Sequence, residues 1–351
     1  MTEVLRVDPV DPDPDAIARA AACLAAGGLV AFPTETVYGL GVHALDRVAL
    51  ARLFAAKERP ANDPLIVHVS GIDDLAPLVA DIPPEARALA ARFWPGPLTV
   101  VVRRSRAVPD EVTAGLDTVA LRAPSHPVAR ALMAAARIPV AAPSANLFSR
   151  PSPTDAAHVL ADLNGRIDMI VDAGPTEVGL ESTVLDLSQD PPVILRPGAV
   201  GIEMLQTVLA NVVIREAPVS DTVTLPSPGL MSRHYSPRTP LTIYEGAAEP
   251  ALRALVRDAR GLIDRGDAVA VLAFAEDLPR LAQLPVRIVP LGREQEPAEV
   301  AARLYAALRV CDEIGADAIV GRMLTTHHTL GAAIRDRLRR AAAGRIVRVE
   351  Q

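Results

Sequence analysis

The chain of 351 residues carries 36 basic and 42 acidic side chains, a formal charge of −6, and is half hydrophobic with one Trp, four Tyr and five Phe. That length supports two domains, with cores built mostly from Ala, Val, Leu and Ile, and it excludes a small stapled module or a largely disordered chain. The acidic balance supplies no whole-molecule attraction for nucleic acid or an anionic membrane.

The N-terminal run MTEVLRVDPVDPDPD is acidic and Pro-rich, without the basic and apolar stretches of a secretory signal. No apolar run approaches the roughly 20 residues needed to cross a bilayer, so a cytoplasmic protein is expected. Residues 15–26 predict an amphipathic helix closed by Gly27-Gly28, and 29–33 an apolar strand. A loop of small and hydroxyl residues is expected next, then a helix over 45–56 with Asp46 near its start, and a strand over 64–69. Further strands are expected at 98–103, 118–122, 139–142, 169–172, 182–187 and 193–195, with helices over 127–136 and 154–163. Strands without an intervening helix must pair as neighbours, which predicts a mixed α/β sheet.

Residues 217–240 hold five prolines and no amphipathic period, a linker that nevertheless carries Arg233, His234, Tyr235 and Arg238. Beyond it, strands at 241–244, 268–274, 286–291, 318–320 and 345–349 alternate with helices over 251–265, 298–314 and 330–343. That alternation predicts a smaller Rossmann-like α/β domain. The expected organisation is a first domain over 1–212, a linker over 213–240 and a C-terminal domain over 241–351. Cys23 and Cys311 lie far apart in helical segments, without metal or disulfide spacing, and read as core residues. His43, His126, His158, His327 and His328 read as surface or capping residues.

Lys57 is the single lysine among the 36 basic residues of an Ala- and Arg-rich chain. Where composition drifts from Lys to Arg, a lone Lys marks a place where a compact ammonium fits and the planar guanidinium fork does not. Two nucleotide motifs occur in damaged form. Gly39-Leu-Gly41-Val-His-Ala44 has dinucleotide spacing, but five residues separate Pro33 from the first glycine. Gly174 and Gly179 have P-loop spacing, but Leu180 and Glu181 stand where Lys and Ser/Thr belong.

Short polar clusters lie at the ends of the apolar strands: PTETVYGLG at 33–41, AKERP at 56–60 with Asn62 and Asp63, Thr118 to Arg122, PSAN at 143–146, Glu181-Ser182-Thr183 and Arg196-Pro-Gly198. Each alone is ordinary turn chemistry. Together they offer four cations and several hydroxyls that an open sheet can gather along one rim, suited to a triphosphate beside a small zwitterion.

The order of PTETVYGLG, AKERP, PLIVHV, VALRAP, PSAN, SPT, GLESTVLDL and LRPGAV resembles the Sua5/YrdC/YwlC family, and SPGLMSRHYSP with TLGAAIRDRLRRAA is similar to the linker and C-terminal domain of its long members. The resemblance implies a YrdC-like catalytic domain over 1–212 with a twisted open mixed sheet, a linker over 213–240 that covers its site, a smaller Rossmann-like domain, and synthesis of threonylcarbamoyl-AMP from L-threonine, bicarbonate or CO2, and ATP. The product would feed a separate tRNA-modifying transferase, with no stable tRNA binding by this chain. Carried over by position, the resemblance places L-threonine near Thr34, His68, Arg122, Ala142 and Ser182. It places ATP near Lys57, Arg59, Asp63, Thr118, Ser144, Asn146, Ser152, Arg196 and Tyr235, with Lys57 and Arg59 as catalytic groups. Magnesium is expected with the phosphates, through Asp63 or water, and Glu58 must point away from them. The reading from another class is an RNA-binding module using a basic concave surface, and a third is a dinucleotide-binding oxidoreductase on Gly39-x-Gly41.

Overall fold

The computed structural model describes residues 1–215, 225, 227, 234–327 and 329–350. Most of the expected linker, including Arg233 and Leu230-Met231-Ser232, lies outside the described residues, as does His328. The chain divides into one unit of Met1–Phe148 and Ser152–Met231, and a second of Ser149–Pro151 and Ser232–Gln351.

In the first unit, strands β1 (Glu3–Arg6), β2 (Val30–Pro33), β3 (Tyr38–His43), β4 (Ile66–His68), β5 (Leu98–Arg103), β6 (Thr118–Arg122), β7 (Val140–Ala141), β8 (Met169–Asp172), β9 (Thr183–Asp186), β10 (Val193–Arg196) and β11 (Val213–Ile214) form one sheet. Their order is β1-β8-β2-β3-β7-β4-β6-β5-β9-β10-β11. Parallel pairs such as β4–β6 and antiparallel pairs such as β5–β6 coexist, as expected where some connections lack a helix. The segment expected to loop after Pro33 instead turns within four residues into β3, antiparallel to β2. Gly39 and Gly41 therefore lie inside a strand. A Cβ on Gly41 would meet Phe32 Cε1 at 2.8 Å, so these glycines admit close packing and bind no pyrophosphate turn.

Period-2 alternation sends successive side chains to opposite faces. Ala31, Val67, Val100, Leu121, Ala141 and Leu185 enter the main core, which the helices Arg47–Lys57 and Pro84–Phe93 help to cover. On the other face, Val30, Phe32, Val140 and Ala142 pack with the helices Pro14–Ala25 and Pro127–Ala136. Among the described residues, the stretch over β4, β6, β5, β9 and β10 carries a small patch there, with Ile66, Ala120, Val101, Val184, Leu195 and Leu225.

In the second unit, β12 (Leu241–Glu245), β13 (Val269–Phe274), β14 (Arg287–Gly292), β15 (Ala318–Arg322) and β16 (Ile346–Arg348) form a sheet of order β14-β13-β15-β12-β16 with every pair parallel. The helices Ala248–Asp264, Pro297–Glu313 and Leu330–Ala341 supply its crossovers. Cys311 is buried in the helix Pro297–Glu313, whereas Cys23 is only half-buried, which corrects its reading as a core residue. Among the histidines, His43, His126 and His158 accept backbone N–H groups of Leu45, Val128 and Thr154 through Nδ1, as turn and cap residues do.

Candidate active site

The face that carries this small patch also carries polar residues. His68 shares its face with Ile66, and Thr118 and Arg122 share theirs with Ala120. His68 and Arg122 are the last residues of β4 and β6, so this face carries them at the strand ends. His68 and Arg122 are direct partners in the parallel β4–β6 pair, about 4.8 Å apart across the ladder. Thr118 begins β6, about 13 Å along the strand from Arg122 at roughly 3.3 Å per residue.

Arg122 is buried, and each of its nitrogens meets a different neighbour. Nε donates to Gly96 O at 3.3 Å, Nη1 to Thr36 Oγ1 at 3.0 Å, and Nη2 lies 2.7 Å from Glu35 Oε1. This last contact is an ion pair without hydrogen-bond alignment, so both Nη2 and Glu35 Oε1 lack a hydrogen-bond partner among the described residues. Thr36 Oγ1 stands 2.8 Å from Thr34 Oγ1, which in turn donates to Val37 O. His68 packs edge-on against Phe32, and its Nδ1 also has no partner among the described residues. Burial, reinforced by the Arg122 charge, pushes the imidazole pKa down to about 3. The ring is therefore neutral at physiological pH.

Ser182 joins this group through Thr99, with the two hydroxyl oxygens 2.7 Å apart, and Arg196 donates to Ser182 O and Oγ at 3.1 and 3.2 Å. Gly198 passes so close that a Cβ there would stand 2.4 Å from Thr183 N. Only glycine lets the turn after β10 seat Arg196 here. Ala142 is buried and donates its N–H to Ile66 O at 2.9 Å, lining the same face with backbone.

A second cluster forms where the helix Arg47–Lys57 ends. Asp46 caps its start by accepting from Val48 N and Ala49 N, a contribution of about 1 kcal/mol. At its far end Lys57 is fully buried, and its Nζ donates to Ser144 O and Asn146 O, both at 2.5 Å. Burial, with the Arg59 charge, holds the ammonium well below the usual lysine range. An ammonium has three donors, so one N–H remains beyond the two carbonyls. Glu58 takes the left-handed conformation that ends the helix (φ 55°) and pairs with Arg166 at 2.8 Å. Its carboxylate thus points away from the cluster. Arg59 donates to Asp63 O and Pro64 O and pairs with the Asp63 carboxylate at 2.8 Å, with both side chains buried. Ser152 donates to Glu181 Oε1 at 2.5 Å, and Asn146 Nδ2 donates to Leu147 O.

Residues 34–38 tie the two clusters together. Thr36 accepts from Arg122, while Tyr38 donates its N–H to Pro153 O and accepts from Ala145 N, both at 2.8 Å. Val178 N and Gly179 N donate to Glu35 O and Thr36 O. Tyr235 belongs to the second unit, where its ring lies against Tyr305 and beneath Arg337. Glu35 had no expected role. Its only signal in the sequence is a carboxylate set between two threonines at a strand end.

Among the described residues no three His, Cys, Asp or Glu side chains converge on a metal site, and no helix is long and apolar enough to cross a membrane.

Comparison with known proteins gives a consistent picture. Residues 22–198 match the Sua5_yciO_yrdC family model, described as telomere recombination, and residues 200–343 match the Sua5_C model, described as threonylcarbamoyl-AMP synthase, C-terminal domain. The threonylcarbamoyl-AMP synthase of Pyrococcus abyssi is 42% identical over 334 residues, 94% of this chain and 95% of the relative. That of Bacillus subtilis is 43% identical over 334 residues, 95% of this chain and 94% of the relative. The crystal structure of P. abyssi Sua5 complexed with L-threonine superposes with a TM-score of 0.92 at 40% identity, covering 99% of this chain and 100% of that one.

Proposed function

The chain belongs to the Sua5/YrdC family, and from that membership we propose that it condenses L-threonine, bicarbonate or CO2, and ATP into threonylcarbamoyl-AMP and pyrophosphate. The observation that carries this reading is the buried Arg122, whose Nη2 makes no hydrogen bond among the described residues and lies near a neutral His68 and a set of hydroxyls. A planar guanidinium with free N–H groups receives a carboxylate. Thr34, His68 and Ser182 offer partners for the hydroxyl and amine of threonine.

The chemistry asks for no protein nucleophile. The amine of threonine adds to the carbon of CO2, or of bicarbonate with loss of water, to give a carbamate. A carbamate oxygen then bonds to the α-phosphorus while the bond to pyrophosphate breaks. Because both partners are anions, positioning and charge neutralisation must supply the rate. Lys57, through its remaining N–H, and Arg59 face the phosphates in this reading. Ser144, Asn146, Ser152, Asp63, Thr118 and Arg196 line the nucleotide side. A magnesium ion arriving with the triphosphate would supply further charge neutralisation; among the carboxylates nearby, Asp63 already neutralises Arg59 and Glu181 accepts Ser152. The product serves N6-threonylcarbamoyladenosine formation in tRNA by a separate transferase in the cytoplasm.

The test is pyrophosphate release from ATP with L-threonine and bicarbonate each omitted in turn. Release that requires both is expected. Release at full rate without threonine would overturn the assignment.

A further inference from the structure

The cation that would grip the amino acid carries a counter-ion of its own. Glu35 Oε1 lies 2.7 Å from Arg122 Nη2, with both side chains buried. Glu35 is fixed in place: Oε2 accepts Ser125 N at 3.1 Å, and the carbonyl accepts Val178 N at 2.8 Å. The adjoining Thr36 accepts both Gly179 N and the Arg122 guanidinium. The ion pair nevertheless lacks hydrogen-bond alignment, leaving one buried donor and one buried acceptor side by side without a hydrogen bond among the described residues. Buried polar atoms left so are costly unless something completes them.

A ligand with one negative and one positive end completes both. Its carboxylate meets the guanidinium and its ammonium meets the carboxylate, so no net charge is added to a site shielded from water. A ligand with only the negative end meets the same guanidinium but is repelled by Glu35, in surroundings where like charges are poorly screened. Neutral His68 adds nothing to offset that repulsion.

We infer that Glu35 is a specificity-determining residue: as the resident counter-ion of Arg122, it admits amino-acid zwitterions and rejects hydroxy acids of the same skeleton. This rests on the reading that Arg122 receives the carboxylate of threonine. Glu35 also holds Arg122 in place, but a purely positioning role would affect both ligand classes alike.

The experiment uses the full chain and two probes, L-threonine and its hydroxy-acid analogue with a hydroxyl replacing the ammonium, titrated calorimetrically into the wild type, E35Q and E35D. The wild type is expected to prefer L-threonine by at least about 100-fold, given several kcal/mol for like-charge juxtaposition. E35Q should narrow that preference by about tenfold or more, and E35D, which keeps the charge, should preserve most of it. A folded E35Q with an unchanged ratio, or a wild type that binds both probes equally, overturns the inference while leaving threonine binding intact. A wild type that binds neither probe overturns the underlying reading as well, so the two failures are distinguishable. If E35Q does not fold, the wild-type ratio alone decides.

Discussion

Arg122 and Arg322 are both buried at the end of a strand, and their surroundings differ. Arg322, at the end of β15 in the second unit, donates Nε to both Asp277 oxygens at 3.0 and 2.9 Å and Nη2 to Glu294 Oε2 at 2.6 Å, while its guanidinium lies 4.5 Å from the Phe274 ring centroid. The other oxygen of Glu294 accepts Thr325 N and Oγ1. Arg122, at the end of β6, pairs among the described residues with one carboxylate, badly aligned, and its Nη2 has no hydrogen bond there. Open α/β sheets bind ligands beyond the carboxyl ends of their strands. In the second unit that place is filled by a cluster which satisfies itself, binding β13, β14 and β15 together. In the first unit the arginine is held but not completed. A buried cation with all its bonds made acts as structure, whereas one with bonds left over acts as a receptor.

The most severe challenge to that contrast is R122A. Calorimetric affinity for L-threonine should fall by about 100-fold or more, as expected when a buried charge partner is truncated. An R122A protein that still binds threonine normally would erase the receptor side of the comparison. R322A should do the reverse. Removing it strands Asp277 and Glu294, and denaturant unfolding of the full chain should register a loss of about 3–5 kcal/mol with threonine affinity unchanged. A stability loss below about 1 kcal/mol would show that the closed cluster is dispensable.

The smallest effect sharpens the comparison through pH. His68 has a folded pKa of about 3 against an ordinary 6.5. Between those values the unfolded chain takes up a proton that the folded chain refuses, so stability declines as pH falls below 6.5. The slope is at most about 1.4 kcal/mol per pH unit. Comparing denaturation at about pH 7.5 and about pH 5.5, the wild type should lose about 1 kcal/mol more than H68Q. Threonine affinity should show no inflection near the ordinary imidazole pKa of about 6.5.

Much of the fold was legible because it follows from hydrophobic period. Leu98–Arg103 and Thr118–Arg122 form strands over the residues expected, as their runs of β-branched and aliphatic residues dictate. β3 was hidden because Gly39 and Gly41 remove two side chains from its alternation, and β1 because four residues amid acids and prolines carry little pattern. At the site, the polar clusters were visible as residue types. Whether they meet on a rim or a face depends on strand order, which nonconsecutive neighbours such as β3-β7-β4 set beyond the reach of local sequence. The lone lysine was a sound compositional signal, but the two carbonyls that hold it lie 87 and 89 residues away.

Residues 34–38 are fastened on one flank to the arginine of the amino-acid end and on the other to the stretch that Lys57 grips. So short a span behaves as a rigid crossbar with no slack between its ends. An error of alignment at Thr36 is passed to Ala145 undiminished, and the two reactants are gauged against a single piece of backbone.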